Sequence, residues 1–411
     1  MRNLSLTGLF TAASLAAATL VTATLVTGCA PRATGVEARR EADTRFRRTT
    51  SLVSFDQAKQ AFESGDLDRA RKEAKAAIAR SDGEAQYWTL LGRIELEASQ
   101  LERAIEAFDD AIERDPNLAE PHYYKGIVQQ RWGALDKAIA DYERAFELDS
   151  SRIAYLLAWA ELLVADRRLD EARELLLPKL AHFEHNAAMH ELLGDVSRLR
   201  GEHIAASRSY ERALAIEPSA PLIEEKLLAS LFRAGEWQRC LEAARRSRAA
   251  ANAAANGHVP VVSIDILRHE GRSLAMLGRH EESRTVFAEH VRSYPEDLGA
   301  WRDLAIASIE MGDFARARSA ADRLLELAAK DSRGLTLRGL VAERSGDLDA
   351  AVRWYHAAVG ADPKDADAAA ALGLALRKIG RCEEADASLR RALELDPGFT
   401  LVANALAASD D

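Results

Sequence analysis

The chain has 411 residues, 48% of them apolar and 6% aromatic, and 55 Lys and Arg against 65 Asp and Glu leave a formal net charge of −10. That acidic balance argues against general nucleic-acid binding, which needs clustered positive charge, and three cysteines with no CxxC spacing suggest neither a zinc ribbon nor a disulfide framework. Abundant Ala, Leu, Glu and Arg with few β-branched runs predict an all-α chain.

Met1-Arg2-Asn3 is a short positive start, and Leu4 to Val26 is uncharged and rich in Ala, Leu, Thr and Val. This is the shape of a secretory signal, and it is also long enough to span a bilayer. An uncleaved anchor and a cleaved signal therefore compete. The boundary favours cleavage, because Val26-Thr27-Gly28-Cys29 resembles the bacterial lipobox. The resemblance implies a signal peptide over 1–28 and a diacylglycerol thioether on Cys29. With Ala30 rather than Asp next, analogy with enterobacterial sorting implies the outer membrane of a bacterial envelope, facing the periplasm. Residues 30–50 hold six arginines and three acids with almost no apolar side chain. The expectation for 29–50 is a flexible, solvated tether whose arginines can rest against anionic headgroups.

From residue 51 the chain repeats itself every 34 residues. Frames begin at 51, 85, 119, 153, 187 and 221, and after nine residues resume at 264, 298, 332 and 366. Position 8 of the unit is Gly in six copies (Gly92, Gly126, Gly194, Gly271, Gly339, Gly373) and Ala in three, so a first helix must approach a second closely there. Position 20 is small in all ten, from Ala70 to Ala385, with Cys240 in unit 6 and Ser283 in unit 7. Position 15 is Gly in eight units, a helix stop that needs positive φ. Position 24 is a large apolar knob in seven, including Phe108, Tyr210, Phe287 and Tyr355, and position 32 is Pro in five.

The unit closely resembles the tetratricopeptide repeat (TPR) family, with Trp88, Leu91, Gly92, Ala104, Phe108, Ala111 and Pro116 matching its pattern in unit 2. The resemblance implies a right-handed superhelical solenoid of about ten helix-turn-helix repeats with a concave groove. Units 1–6 fill 51–254, an inter-repeat loop holding Gly257 and Pro260 fills 255–263 and could act as a hinge, units 7–10 fill 264–399, and 400–411 form a C-terminal helix and tail. Departures are expected where Pro178 falls inside the second helix of unit 4, and where unit 6 ends in an alanine-rich run.

No nucleophile elbow, phosphate loop, zincin or dinucleotide motif is present, and the repeats leave no room for a catalytic domain, so the chain is expected to be no enzyme and to need no cofactor. His182, His185 and His190 are spaced for a metal but read better as polar linker residues, so no metal is expected. Cys240 reads as a packing residue and Cys382 as partly buried.

Function then lies on the first-helix stripe formed by positions 2, 5, 9, 12 and 13. In units 4 to 6 the stripe carries Glu161, Glu191, Asp195 and Glu225, and in units 7 and 8 Arg268, Arg272 and Arg302. Tyr123, Leu157, Leu222 and Phe232 add apolar contacts. Against a plain solvated face, the functional reading is a protein or peptide groove, acidic in the middle and basic beyond, whose arginines suit a carboxylate or phosphate. The Lys/Asn carboxylate clamp of chaperone-binding TPRs is not reproduced, since the matching positions hold Phe55/Lys59, Thr89/Arg93 and Tyr123/Ile127. The expected role is a non-catalytic scaffold that is lipid-anchored through Cys29 and holds other envelope proteins or peptides, as in assembly of a pilus, outer-membrane or export complex. The alternatives are a glycan- or peptide-binding solenoid, and a regulatory partner of a separately encoded enzyme.

Overall fold

The computed structural model describes residues 35–255 and 262–407. Cys29 and the leader 1–28 lie outside the described residues, as do 256–261 of the expected loop. The described residues form 21 α-helices. No described helix is long and apolar enough to cross a membrane.

The chain divides into two compact bodies at Val128/Gln129. The first holds α1 (Gly35–Glu63), α2 (Leu67–Arg80), α3 (Ala85–Glu97), α4 (Leu101–Arg114) and most of α5 (Ala119–Arg131). In place of the flexible tether expected over 29–50, helix begins at Gly35 and runs unbroken into unit 1, with every residue of 35–49 exposed.

The second body continues with α6 (Leu135–Leu148), α7 (Ile153–Ala165), α8 (Leu169–Leu176), α9 (Ala187–Leu199), α10 (His203–Ile216), α11 (Pro221–Arg233) and α12 (Trp237–Ala254). Then come α13 (Ile264–Met276), α14 (His280–Ser293), α15 (Leu298–Glu310), α16 (Phe314–Leu327), α17 (Ser332–Arg344), α18 (Leu348–Ala361), α19 (Ala366–Lys378), α20 (Cys382–Leu395) and α21 (Thr400–Ala407). Within each body successive helix hairpins pack on one another, the arrangement of a repeat solenoid.

The turn inside every hairpin is the same. Position 15 has positive φ in all ten units: eight glycines, and Ser99 and Arg167 at φ 58° and 63°. The next amide closes each first helix by bonding five residues back, as in Asp66 N to Ala61 O, Glu202 N to Ser197 O and Asp347 N to Ala342 O. Asp66, Asp313 and Asp347 then accept an amide of the following helix.

The core follows from position 8 meeting position 24. A Cβ on Gly92, Gly194, Gly271 or Gly339 would lie 2.4–2.5 Å from the ring of Phe108, Tyr210, Phe287 or Tyr355. Unit 6 inverts the pair: Leu228 holds position 8 and Ala244 position 24, both buried. The two polar residues at position 20 bond back to position 8, Ser283 Oγ donating to Gly271 O at 2.8 Å and Cys240 Sγ to Leu228 O at 3.4 Å. Burial also raises the Cys240 thiol pKa, so it packs as an inert thiol. Cys382 is exposed rather than partly buried.

The interruption after unit 6 does not divide the core. Tyr210, Leu241, Val262, Leu267 and Val286 belong to one buried cluster, and Arg248 of α12 pairs with Glu270 of α13 at 3.0 Å. Pro178 ends its helix early: α8 has 8 residues where most second helices have 14, and one 3₁₀ turn, Leu177–Lys179, follows. At the far end α21 covers unit 10 by setting Val402, fully buried, against Leu389 and Ala392.

Candidate functional site

On the first-helix stripe several of the expected charges are paired within the protein. In the second body Glu191 and Asp195 of α9 both accept from Lys226 Nζ of α11, at 2.6 and 2.7 Å. Burial opposes the Lys226 charge, but the bonds to Asp195 and Glu191 outweigh it and keep its pKa above the ordinary value. Asp195 also accepts from Tyr210 Oη at 2.8 Å and lies 3.3 Å from Arg198. Glu161 is exposed on α7, and its pKa is raised by partial burial and by the nearby Glu191 charge. Glu225 is half-buried on α11.

The three arginines are tied in the same way. Arg268 pairs with Asp265 at 2.8 Å and with Asp297 at 3.3 Å. Arg272 grips Asp303 with two bonds, 2.8 and 3.1 Å, and Asp303 is 8% exposed. Arg302 lies 3.7 Å from Asp331. Asp297 and Asp331 are also the N-caps of α15 and α17, accepting from Gly299 N and Gly334 N. Each arginine thus meets an acid that belongs to the next first helix or starts it.

Counting the stripe alone cannot find these partners. They come from position 6 of the following unit (Lys226, Asp303) or from the last position of its own unit (Asp297, Asp331). The available signal is a charge of opposite sign 31 residues on, as in Asp195 to Lys226 and Arg272 to Asp303.

The stripe also leaves apolar side chains open. Leu222 is 70% exposed, Met276 49% and Ile306 44%, and Phe232 is half-buried with its ring edge-on to His269. Met276 and Ile306 occupy stripe positions that sequence reasoning passed over. Leu157 is half-buried. In the first body Tyr123 is half-buried and edge-on to Tyr124.

Of the three linker histidines, His185 is exposed, while His190 is buried with Nε2 at 2.8 Å from Glu184 O. Among the described residues no group of three or more His, Cys, Asp or Glu gathers as metal ligands.

Comparison with known proteins finds the same repeat in parts of the chain. The tetratricopeptide repeat family profile matches residues 55–119, 302–366 and 336–398. Cellulose synthase operon protein C of Xanthomonas axonopodis pv. citri (strain 306) is 28% identical over 204 residues, which is 50% of this chain and 13% of that protein. The BBSome complex member BBS4 of Bos taurus is 29% identical over 133 residues, 32% of this chain and 25% of that protein. The chain therefore spans a quarter or less of the length of these two relatives. A solved structure titled "Structure of Naa15/Naa10 bound to HypK-THB" aligns over 86% of this chain and 64% of its own at 14% identity, with a TM-score of 0.41. The repeat unit, the turn shared by its ten copies and the profile matches agree on a tetratricopeptide-repeat fold.

Proposed function

We propose that the chain is a non-catalytic scaffold of the bacterial envelope, held to a membrane by lipid on Cys29, and that it binds partner proteins or peptides on the first-helix stripe of the second body. The observation that carries the binding reading is the exposed set Leu222, Met276 and Ile306, on a stripe where Asp195, Arg268 and Arg272 are already paired within the protein. Such a surface gains from burying aliphatic area, while its ion pairs keep it rigid. This moves the weight of binding from Arg268, Arg272 and Arg302 to the aliphatics between them. The lipobox resemblance at Val26–Cys29 supports the anchor, and the arginine-rich stretch after it suits anionic headgroups. Assembly of an envelope machine is the role such a tethered scaffold would serve.

Recovery of co-purifying proteins from solubilised membranes tests the surface. Leu222→Glu/Ile306→Glu should lose partners that the wild type holds, and equal recovery of every partner refutes the stripe. The anchor has a separate test. A clickable fatty acid should label the wild type and not Cys29→Ala, and label retained by the variant refutes lipidation there.

A further inference from the structure

Where Pro178 cuts α8 short, the protein leaves a cleft of ≈ 770 Å³ between the end of that helix, α9 and α10. In a full-length hairpin the last turns of the second helix lie against the next first helix, as Ala213 of α10 joins Ile223 and Leu227 of α11 in one core. In unit 4 those turns are replaced by the 3₁₀ turn and the loop that follows it. The floor is apolar: Leu193 and Val196 of α9, with Leu177, Leu180 and Ile216 at the edges, Leu177 being 47% and Ile216 38% exposed. Ala205, Ser209 and Ala215 present small side chains along α10, which lets another backbone come close.

The rim is charged, and its charges do not cancel. Glu202 is already held by Arg200 at 2.9 Å and Arg173 at 3.4 Å, and Glu184 lies 3.4 Å from His185. Arg208 and Arg212, one helical turn apart on α10, are exposed and make no ion pair among the described residues. An apolar cleft where a second helix stops short, beside two guanidinium groups without an ion pair, selects for one kind of occupant. We infer that this cleft docks a short amphipathic helix of a partner protein, its apolar face on Leu177, Leu180 and Ile216 and an acidic flank on Arg208 and Arg212. The mode is helix-in-groove recognition. This site is separate from the first-helix stripe of the proposed function and stands without it.

The test is a displayed library of 14-residue helical peptides, selected on the full chain and measured by fluorescence anisotropy. Enriched peptides should carry Leu or Ile at i, i+3 or i+4 and i+7 with Asp or Glu alongside. Arg208→Glu/Arg212→Glu, checked as folded by its thermal melt, should weaken them tenfold or more, while Leu222→Glu/Ile306→Glu should leave them unchanged. The inference fails if no peptide is selected, if the selected peptides lack acidic enrichment, or if the Arg208/Arg212 variant binds them as the wild type does. It also fails if the wild type dimerises and that variant does not, because the cleft then belongs to a second copy of the chain.

Discussion

The ring of Tyr210 stands where a side chain on Gly194 would have to go: a Cβ there would lie 2.5 Å from Tyr210 Cε1. Tyr210 is fully buried and its hydroxyl is held by Asp195, so the ring has no room to retreat. Substituting Ala in a helix normally gains about 1 kcal/mol over Gly, while overpacking costs about 1–3 kcal/mol. Gly194→Ala should therefore be neutral to destabilising, and Gly339→Ala against Tyr355 likewise. Gly360→Ala, on α18 with nothing within 4 Å, should stabilise. Urea midpoints decide it: if Gly194→Ala gains as much stability as Gly360→Ala, the close-approach explanation of position 8 is wrong.

Two turns run against the preference of their residues. Ser99 and Arg167 hold φ 58° and 63° where the other eight turns use glycine. A left-handed L-residue costs about 1–2 kcal/mol, part of which glycine gives back through the freer unfolded chain. Arg167→Gly and Ser99→Gly should each raise stability by up to about 1 kcal/mol, and Gly201→Ala should lower it by about as much. A fall in melting temperature for both glycine variants would show that Ser99 and Arg167 are held by contacts the turn itself does not require.

The repeat was legible because its strongest signals are local and periodic. A stop that demands positive φ, a small residue facing a large one, and a proline past the second helix each leave a mark in every copy. The Leu228/Ala244 inversion was harder to see, since each residue alone looks like a lost signature and only the pair keeps the volume. Helix over 35–50 was hidden because arginine-rich sequence suits a solvated helix as well as a solvated coil. The stripe residues can be read from the sequence, but the partners of their charges cannot: counter-charges such as Lys226 and Asp303 lie about one repeat away, and no single-helix wheel brings them into view.

Acid should weaken the second body through two imidazoles, the buried His290 and the half-buried His269. Burial lowers the pKa of His269 and of His290 from the ordinary value of 6.5, although Asp297 lies 3.0 Å from His290 Nε2 and works against the shift. A depressed histidine pKa means that the unfolded chain takes up the proton first. Stability is then full above about pH 6.5 and falls as pH drops from there toward the folded-state value. Urea midpoints should decline from pH 7.5 to 5.5, and His269→Gln/His290→Gln should flatten that slope. An unchanged slope in the double variant would assign the acid sensitivity to carboxylates alone.

The Arg272–Asp303 pair separates a structural role from a binding role for the stripe. Asp303 is 8% exposed and Arg272 supplies both of its bonds from the neighbouring first helix. Removing one partner of a buried pair leaves an uncompensated charge, a loss of about 3–5 kcal/mol in deep sites. Arg272 is 40% exposed, so water takes up part of that charge and a loss of about 1–3 kcal/mol is expected for Arg272→Ala. Arg272→Ala/Asp303→Ala removes both charges and should recover much of the difference, because the orphaned carboxylate is the main cost. If Arg272→Ala leaves stability untouched but abolishes partner recovery, the guanidinium is a ligand-binding group and its pairing with Asp303 is incidental. If stability falls and the double variant restores both stability and partner recovery, the arginine aligns adjacent repeats, and the exposed aliphatics beside it carry the contact.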